Sequence, residues 1–259
     1  MRCSNILEMI EKDYSRTYAM GWDNVGLLVG RKEKEVHKIL VALDATDEVI
    51  SEAIDNNVDM LITHHPLLFS GVKRITDEDF TGKRLIQLIQ NDICCYAMHT
   101  NYDVLGMADL SGIKMNMKNA EVLEVTCNDE IPKGIGKIAE LEEAVSLREC
   151  YETVKKAFHL DFVKVFGDLN KELKRIAISP GSGKSMIAAA IAKGADVLIT
   201  GDIGHHEGID AVAQNLAVID AGHYGIEHIF IEDMENYLKI NLENVEIISA
   251  KIIHPFLIV

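Results

Sequence analysis

Short apolar runs of strand type alternate with amphipathic segments of helical type along most of this chain. That alternation constrains the fold more than any other feature, because it calls for an α/β protein with mostly parallel sheets. The periodicity predicts a helix over 4–14, with Ser4 as its cap and Ile6, Leu7 and Ile10 on one face. Strands are expected at 25–29, 39–43, 58–62 and 93–98, with helices at 47–55 and 80–89. Ser146-Leu-Arg-Glu149 is a capping-box pattern and predicts a helix to about Phe158. Further strands are expected at 175–179, 197–200 and 217–220, with helices at 184–193 and 208–215 between them. A late helix at 226–238 and a strand near 245–253 complete the pattern, and the stretch 115–137 is the least patterned.

The pattern contains an echo of itself. Val58-Asp-Met-Leu-Ile-Thr63 is matched by Ala195-Asp-Val-Leu-Ile-Thr200, and one strand later Met98-His99 is matched by Gly222-His223. Buried parallel strands look alike, so two short matches admit coincidence as well as duplication. Duplication would give two related lobes with the site between them.

The chain has 259 residues, enough for one large domain or two lobes with a core each. Its formal charge of −15 repels phosphate backbones and makes nucleic acid an unlikely partner. Hydrophobic residues make up 48%, yet no apolar run reaches the roughly 18–20 residues of a membrane helix. The first residues, MRCSNILEMIEKDY, carry acidic groups where a signal peptide is apolar, so a cytoplasmic location is expected. Five irregularly spaced cysteines without a CxxC argue against a disulfide framework or a structural zinc knuckle.

The chemistry-bearing side chains gather where the expected strands end. His64 and His65 follow one strand, His99 and Asp103 the next, Asp202, His205 and His206 a third, and His223 and Glu227 a fourth. Seven of the ten histidines (64, 65, 99, 205, 206, 223 and 228) lie just after a strand or in the loop it enters, which is where sites form in open α/β sheets. His223 and Glu227 are spaced to share one face of a helix. Imidazole with carboxylate and without thiolate suits zinc, iron or manganese. More candidates are present than one catalytic zinc uses, which points to two metals. A lone histidine after a strand is more often an ordinary surface or core residue, and His37, His159 and His254 are read so.

Two motifs are discounted. Pro180-Gly-Ser-Gly-Lys-Ser185 lacks the first glycine of a phosphate-binding loop, since residue 178 is Ile; a plain turn is expected, a weak anion site being the alternative. Gly134-Ile-Gly-Lys-Ile-Ala139 reads as a glycine-spaced strand entry rather than a dinucleotide loop. Trp22, the only tryptophan, either walls a pocket or caps a core.

With these residues in hand, the chain resembles the NIF-three-like dinuclear metal family, whose members are named GTP cyclohydrolase 1 type 2 homologues. The resemblance is carried by GWDNVGLLVG at 21–30, ALDAT at 42–46, LITHHPLLF at 61–69, HTNYD at 99–103 and DAGHYGIE at 220–227. It implies two related three-layer α/β lobes with a dinuclear metal site between them, in a toroidal homohexamer. The first lobe would take 1–126 with about 230–259 and the second 127–229, with no inserted domain. By motif match His64, His65, Asp103, His223 and Glu227 would bind two divalent ions, with Asp103 shared by both. His99 would be the catalytic neighbour that moves protons, and His205 and His206 would be pocket residues. The C-terminal HPFLIV departs from the commonest family pattern.

The resulting expectation is a metal-dependent hydrolase in which water activated by two metals attacks C8 of the guanine ring of GTP, with ring opening and loss of formate. A two-metal phosphoesterase fits the same ligands. A non-catalytic metal-binding or regulatory hexameric scaffold is the alternative of another class, since fold does not fix function.

Overall fold

A computed structural model describes all 259 residues, which form two compact units. Residues 1–102 and 230–253 make unit 1, and residues 103–229 and 254–259 make unit 2. Unit 1 opens with α1 (Cys3–Asp13), β1 (Gly26–Val29), β2 (Lys38–Ala42), α2 (Asp47–Asp55), β3 (Met60–Thr63), α3 (Phe80–Gln90), β4 (Cys94–Ala97) and α4 (Thr100–Tyr102). Unit 2 follows with α5 (Ala108–Lys114), β5 (Glu121–Cys127), β6 (Lys133–Ser146), α6 (Leu147–Ala157), β7 (Lys164–Phe166), β8 (Glu172–Ser182), α7 (Met186–Ala192), β9 (Val197–Gly201), α8 (His205–Ala213), β10 (Ala217–Asp220) and α9 (His223–Glu227). The chain returns to unit 1 with α10 (Ile229–Asn241) and β11 (Glu246–Ser249). No helix is long and apolar enough to cross a membrane.

The sheet of unit 1 has the order β1-β4-β3-β2-β11 and is parallel except for β1. That of unit 2 has the order β5-β6-β8-β9-β10-β7, with a parallel centre β8-β9-β10 and antiparallel strands on both flanks. β3 and β9 have parallel neighbours on either side and are buried along their whole length, which is why each reads as an unbroken apolar run. Leu40, Leu61, Ile50 and Leu85 share the core of unit 1, and Leu198, Val218, Met186 and Ala211 that of unit 2.

The echo in the sequence is a repeat of wiring. In each unit a strand antiparallel to the last one comes first, and three parallel strands follow with a helix in each crossover. The order is β1-β4-β3-β2 in one sheet and β7-β10-β9-β8 in the other. The match reaches individual hydrogen bonds. Asp59 Oδ2 accepts from the backbone of His37 and Lys38 (2.8 and 3.1 Å), and Asp196 Oδ2 accepts from Lys174 and Arg175 (2.7 and 2.8 Å). Each aspartate thus fastens the start of its central strand to the start of the strand beside it and satisfies donors that the ladder leaves over. Gly30 (φ 111°) and Gly167 (φ 131°) follow β1 and β7 in backbone conformations that favour glycine.

Several expected elements differ. Ser4 lies inside α1, whose cap position is Arg2 with no side-chain hydrogen bond. The stretch 115–137 holds β5 and the start of β6, and the alternation of β5 is blurred because exposed Glu121 and Glu124 fall on opposite faces. Pairing of β5 with β6 draws both into the second sheet, so the first unit ends at Tyr102 instead of residue 126. Residues 254–259 likewise group with unit 2. The late helix expected at 226–238 is two, α9 and α10. The capping box at Ser146 forms in full, with Glu149 N on Ser146 Oγ at 3.2 Å and Ser146 N on Glu149 Oε2 at 2.8 Å.

Candidate metal centre

β3 and β4 are adjacent and parallel, with Thr63 opposite Ala97, so the loops that leave them begin side by side. His64 is wholly buried there, and its Nδ1 donates to the carbonyl of Met98 at 2.7 Å. That bond leaves Nε2 as a lone pair. His65 is pinned by its own amide on Leu43 O (2.9 Å) and by Thr63 Oγ1 on its carbonyl (2.8 Å). Its Nδ1 donates to Asp44 Oδ1 at 2.7 Å. His99 Nδ1 lies 2.9 Å from Asp23 Oδ1, and Asp23 Oδ2 accepts from the amide and the hydroxyl of Thr100 (3.0 and 2.5 Å). Burial by itself pushes the Asp23 carboxyl pKa up, but the hydrogen bonds from His99 and Thr100 outweigh it and hold the group at about 2.

The ligand nitrogens of His64, His65 and His99 all lie within 4.8 Å of one another. Three imidazoles converge, each with the far side of its ring held by an acceptor. This is the arrangement that orients metal-binding histidines and raises their basicity. The donor set fits a divalent ion of the zinc, iron or manganese type.

Unit 2 carries the remaining pair. Gly222 (φ 74°) precedes α9, and the helix places His223 and Glu227 on one face, with His223 Nε2 2.9 Å from Glu227 Oε2. His223 Nδ1 is 2.7 Å from Asp202 Oδ2, and Asp202 sits at φ 56°. With Nδ1 donating to Asp202, the Nε2 lone pair faces a carboxylate oxygen, and a proton or another cation between them removes the repulsion. The buried Asp220 fixes the turn into α9: it accepts from Ile203 N and Gly222 N (3.0 Å each) and pairs with Lys164 at 2.8 Å.

Gly181 belongs to this pair and not to a phosphate loop, and Gly183 is packed against Thr200. β8 runs on through Ser182, and a Cβ on Gly181 (φ 79°) would lie 2.5 Å from Glu227 Oε1. Lys184 pairs instead with Glu207 at 2.5 Å. Gly134 and Gly136 lie inside β6, where a Cβ on Gly134 would strike Glu124 O at 1.9 Å. That is strand packing, as the sequence suggested.

Asp103 is the first residue of unit 2 and opens a wide π-type turn over Asp103–Met107, between α4 and α5. His205 and His206 are exposed at the start of α8, stacked edge to face on each other at 5.2 Å. His228 is a buried structural residue: its Nε2 donates to Phe158 O at 2.9 Å, and burial lowers its pKa. Asp23 and Asp44 are histidine anchors that no spacing in the sequence marks, and Asp202, a ligand-type candidate by its place after a strand, holds His223. Asp23 and Asp44 lie within the motifs at 21–30 and 42–46, and Asp202 follows a strand, but only the folded chain pairs them with imidazoles.

Residues 1–255 match the model of the family Duf34/NIF3 (NGG1p interacting factor 3). The chain belongs to the Duf34/NIF3 family. Among its relatives is the GTP cyclohydrolase 1 type 2 homolog of Clostridium acetobutylicum, 36% identical over 229 residues that cover 88% of this chain and 85% of that protein. The protein of that name from Clostridium perfringens is 35% identical over 254 residues, 97% of each. Among solved structures, a Bacillus cereus protein related to NIF3 superposes with a TM-score of 0.91 at 26% identity, over 100% of this chain and 99% of that one. Reduced HcgD from Methanocaldococcus jannaschii gives 0.83 at 33% identity, over 96% and 97%.

Proposed function

We propose that this Duf34/NIF3 protein is a dinuclear-metal hydrolase acting on a nucleotide in the manner that the name GTP cyclohydrolase 1 type 2 suggests. His64, His65, Asp103, His223 and Glu227 would hold two divalent ions, zinc, iron or manganese. Such ions lower the pKa of water and polarise the bond under attack. His99 moves the proton: Asp23 fixes its Nδ1 side and leaves Nε2 to exchange it. The protein would work as a homohexamer in the cytoplasm; five free thiols accord with a reducing compartment.

The observation that carries this reading is the common posture of four histidines. His64, His65, His99 and His223 each spend Nδ1 on a carbonyl or carboxylate at 2.7–2.9 Å and so present Nε2. A core histidine needs no such uniform orientation.

Elemental analysis of the purified protein and of Asp103→Ala tests the ligand set. Two ions per chain are expected in the wild type and fewer in the variant; unchanged stoichiometry removes Asp103 from the set. Metal-loaded protein incubated with GTP should release formate with the absorbance change of ring opening. No turnover with zinc, iron and manganese sinks the cyclohydrolase reading, and a phosphatase panel then separates a phosphoesterase from a scaffold. Light scattering checks for six chains.

A further inference from the structure

Trp22 and Phe69 take no part in holding a metal or its histidines, yet both stand beside the cluster. Trp22 is 66% exposed and Phe69 56%, large apolar surfaces that folding leaves in water. Both are edge-on to the same imidazole: the centroid of His99 is 5.9 Å from that of Trp22 at 73°, and 5.6 Å from that of Phe69 at 88°. Their exposure removes the core-cap reading of Trp22.

The placement is built into two loops. The Asp23 side chain is wholly buried on His99 and Thr100, which fastens the residue next to Trp22. Asn24 Nδ2 donates to the carbonyl of Leu68 at 2.6 Å, tying this loop to the residue before Phe69, 44 positions along the chain. Trp22-Asp23-Asn24 is thus one device: Asp23 orients His99, Asn24 brings in the loop of Phe69, and Trp22 presents its ring.

We propose that Trp22 and Phe69 form a stacking site for the planar heteroaromatic ring of the substrate, a purine base held next to His99. This role rests on the nucleotide reading of the metal site and gives the base, not the phosphates, to these two loops. A protein of net charge −15 has little to offer phosphate at long range, whereas stacking on aromatic rings needs no charge. Ring stacking also holds a base without forming any bond that the reaction must later break.

Trp22 is the only tryptophan, so its fluorescence reads this site directly. The full-length protein, metal-loaded and metal-stripped, is titrated with guanosine and with inorganic tripolyphosphate, which has no ring. Guanosine should quench the emission saturably in the loaded protein, and tripolyphosphate should not. Phe69→Leu should weaken guanosine binding roughly five-fold or more, with circular dichroism and metal content unchanged, and Phe69→Tyr should restore it. Unchanged emission with guanosine, or wild-type affinity in Phe69→Leu, overturns the assignment. So does an emission shift that follows protein concentration alone, which would mean that a second copy covers the pair. Metal content is scored separately: metals present without quenching retracts the stacking site and leaves the metal reading standing. Quenching in a protein that binds no metal does the reverse.

Discussion

Unit 1 and unit 2 share a strand order, an aspartate that fastens the central strand, and a glycine after the antiparallel strand. They part where the central strand ends. After β3 come His64 and His65; after β9, one residue longer, come Asp202 and Ile203. Unit 1 therefore gathers three imidazoles from two adjacent strand exits. Unit 2 offers one imidazole and one carboxylate from a helix, with Asp202 relegated to holding His223. The repeated part is backbone geometry, and the chemistry sits in loops that the shared wiring leaves free to vary.

The largest effect should come from the two equivalent glycines. A Cβ on Gly30 would lie 2.8 Å from Cys94 Cα and 2.6 Å from its sulfur, whereas one on Gly167 would meet Ala217 Cβ at 3.2 Å. Gly30→Ala should cost about 3–5 kcal/mol, strain plus overpacking, and Gly167→Ala about 1–3 kcal/mol, strain alone. Chemical denaturation of the two variants measures both; equal losses would mean that the units tolerate this turn alike.

Next come the anchors. Asp44→Asn and Asp202→Asn each keep the shape and remove the charge behind one histidine. Each should lower metal affinity roughly 10- to 100-fold, measured by competition with a chelating dye. An effect confined to Asp44→Asn would leave His223 without a metal role.

The smallest effect concerns unit 1 alone. The folded-state pKa of Asp23, about 2, lies below its ordinary 3.8, so its contribution is present above pH 4 and lost as pH falls through 2. The stability gap between wild type and Asp23→Asn should shrink by up to about 2 kcal/mol across that range. A gap that does not change with pH would show that Asp23 acts by packing and not by charge.

Much of this could be read from the chain. Buried strands such as β3 and β9 announce themselves because both faces are covered, and the capping box at Ser146 is a purely local device. The hairpin of β5 and β6 is not legible in the sequence: its alternation is diluted by exposed Glu, and its identity as sheet comes from partners along β8. The same holds for Gly181. Its place in PGSGK predicts a plain turn, with a weak anion site as the alternative, and only folding brings Glu227 against it.

His64, His65, Asp103, His223 and Glu227 were named from spacing and resemblance, because ligand-type residues placed just after strands are a local pattern. The sequence by itself determined the α/β class, the positions where loops leave the sheets, and which side chains there could bind a metal. Tertiary structure alone decided how those side chains are aimed. Asp23 meets His99 across 76 residues through the antiparallel pairing of β1 with β4, and Asp44 meets His65 across 21 through the parallel pairing of β2 with β3. Hydrogen bonds of that range depend on register and burial, which no short stretch of sequence encodes.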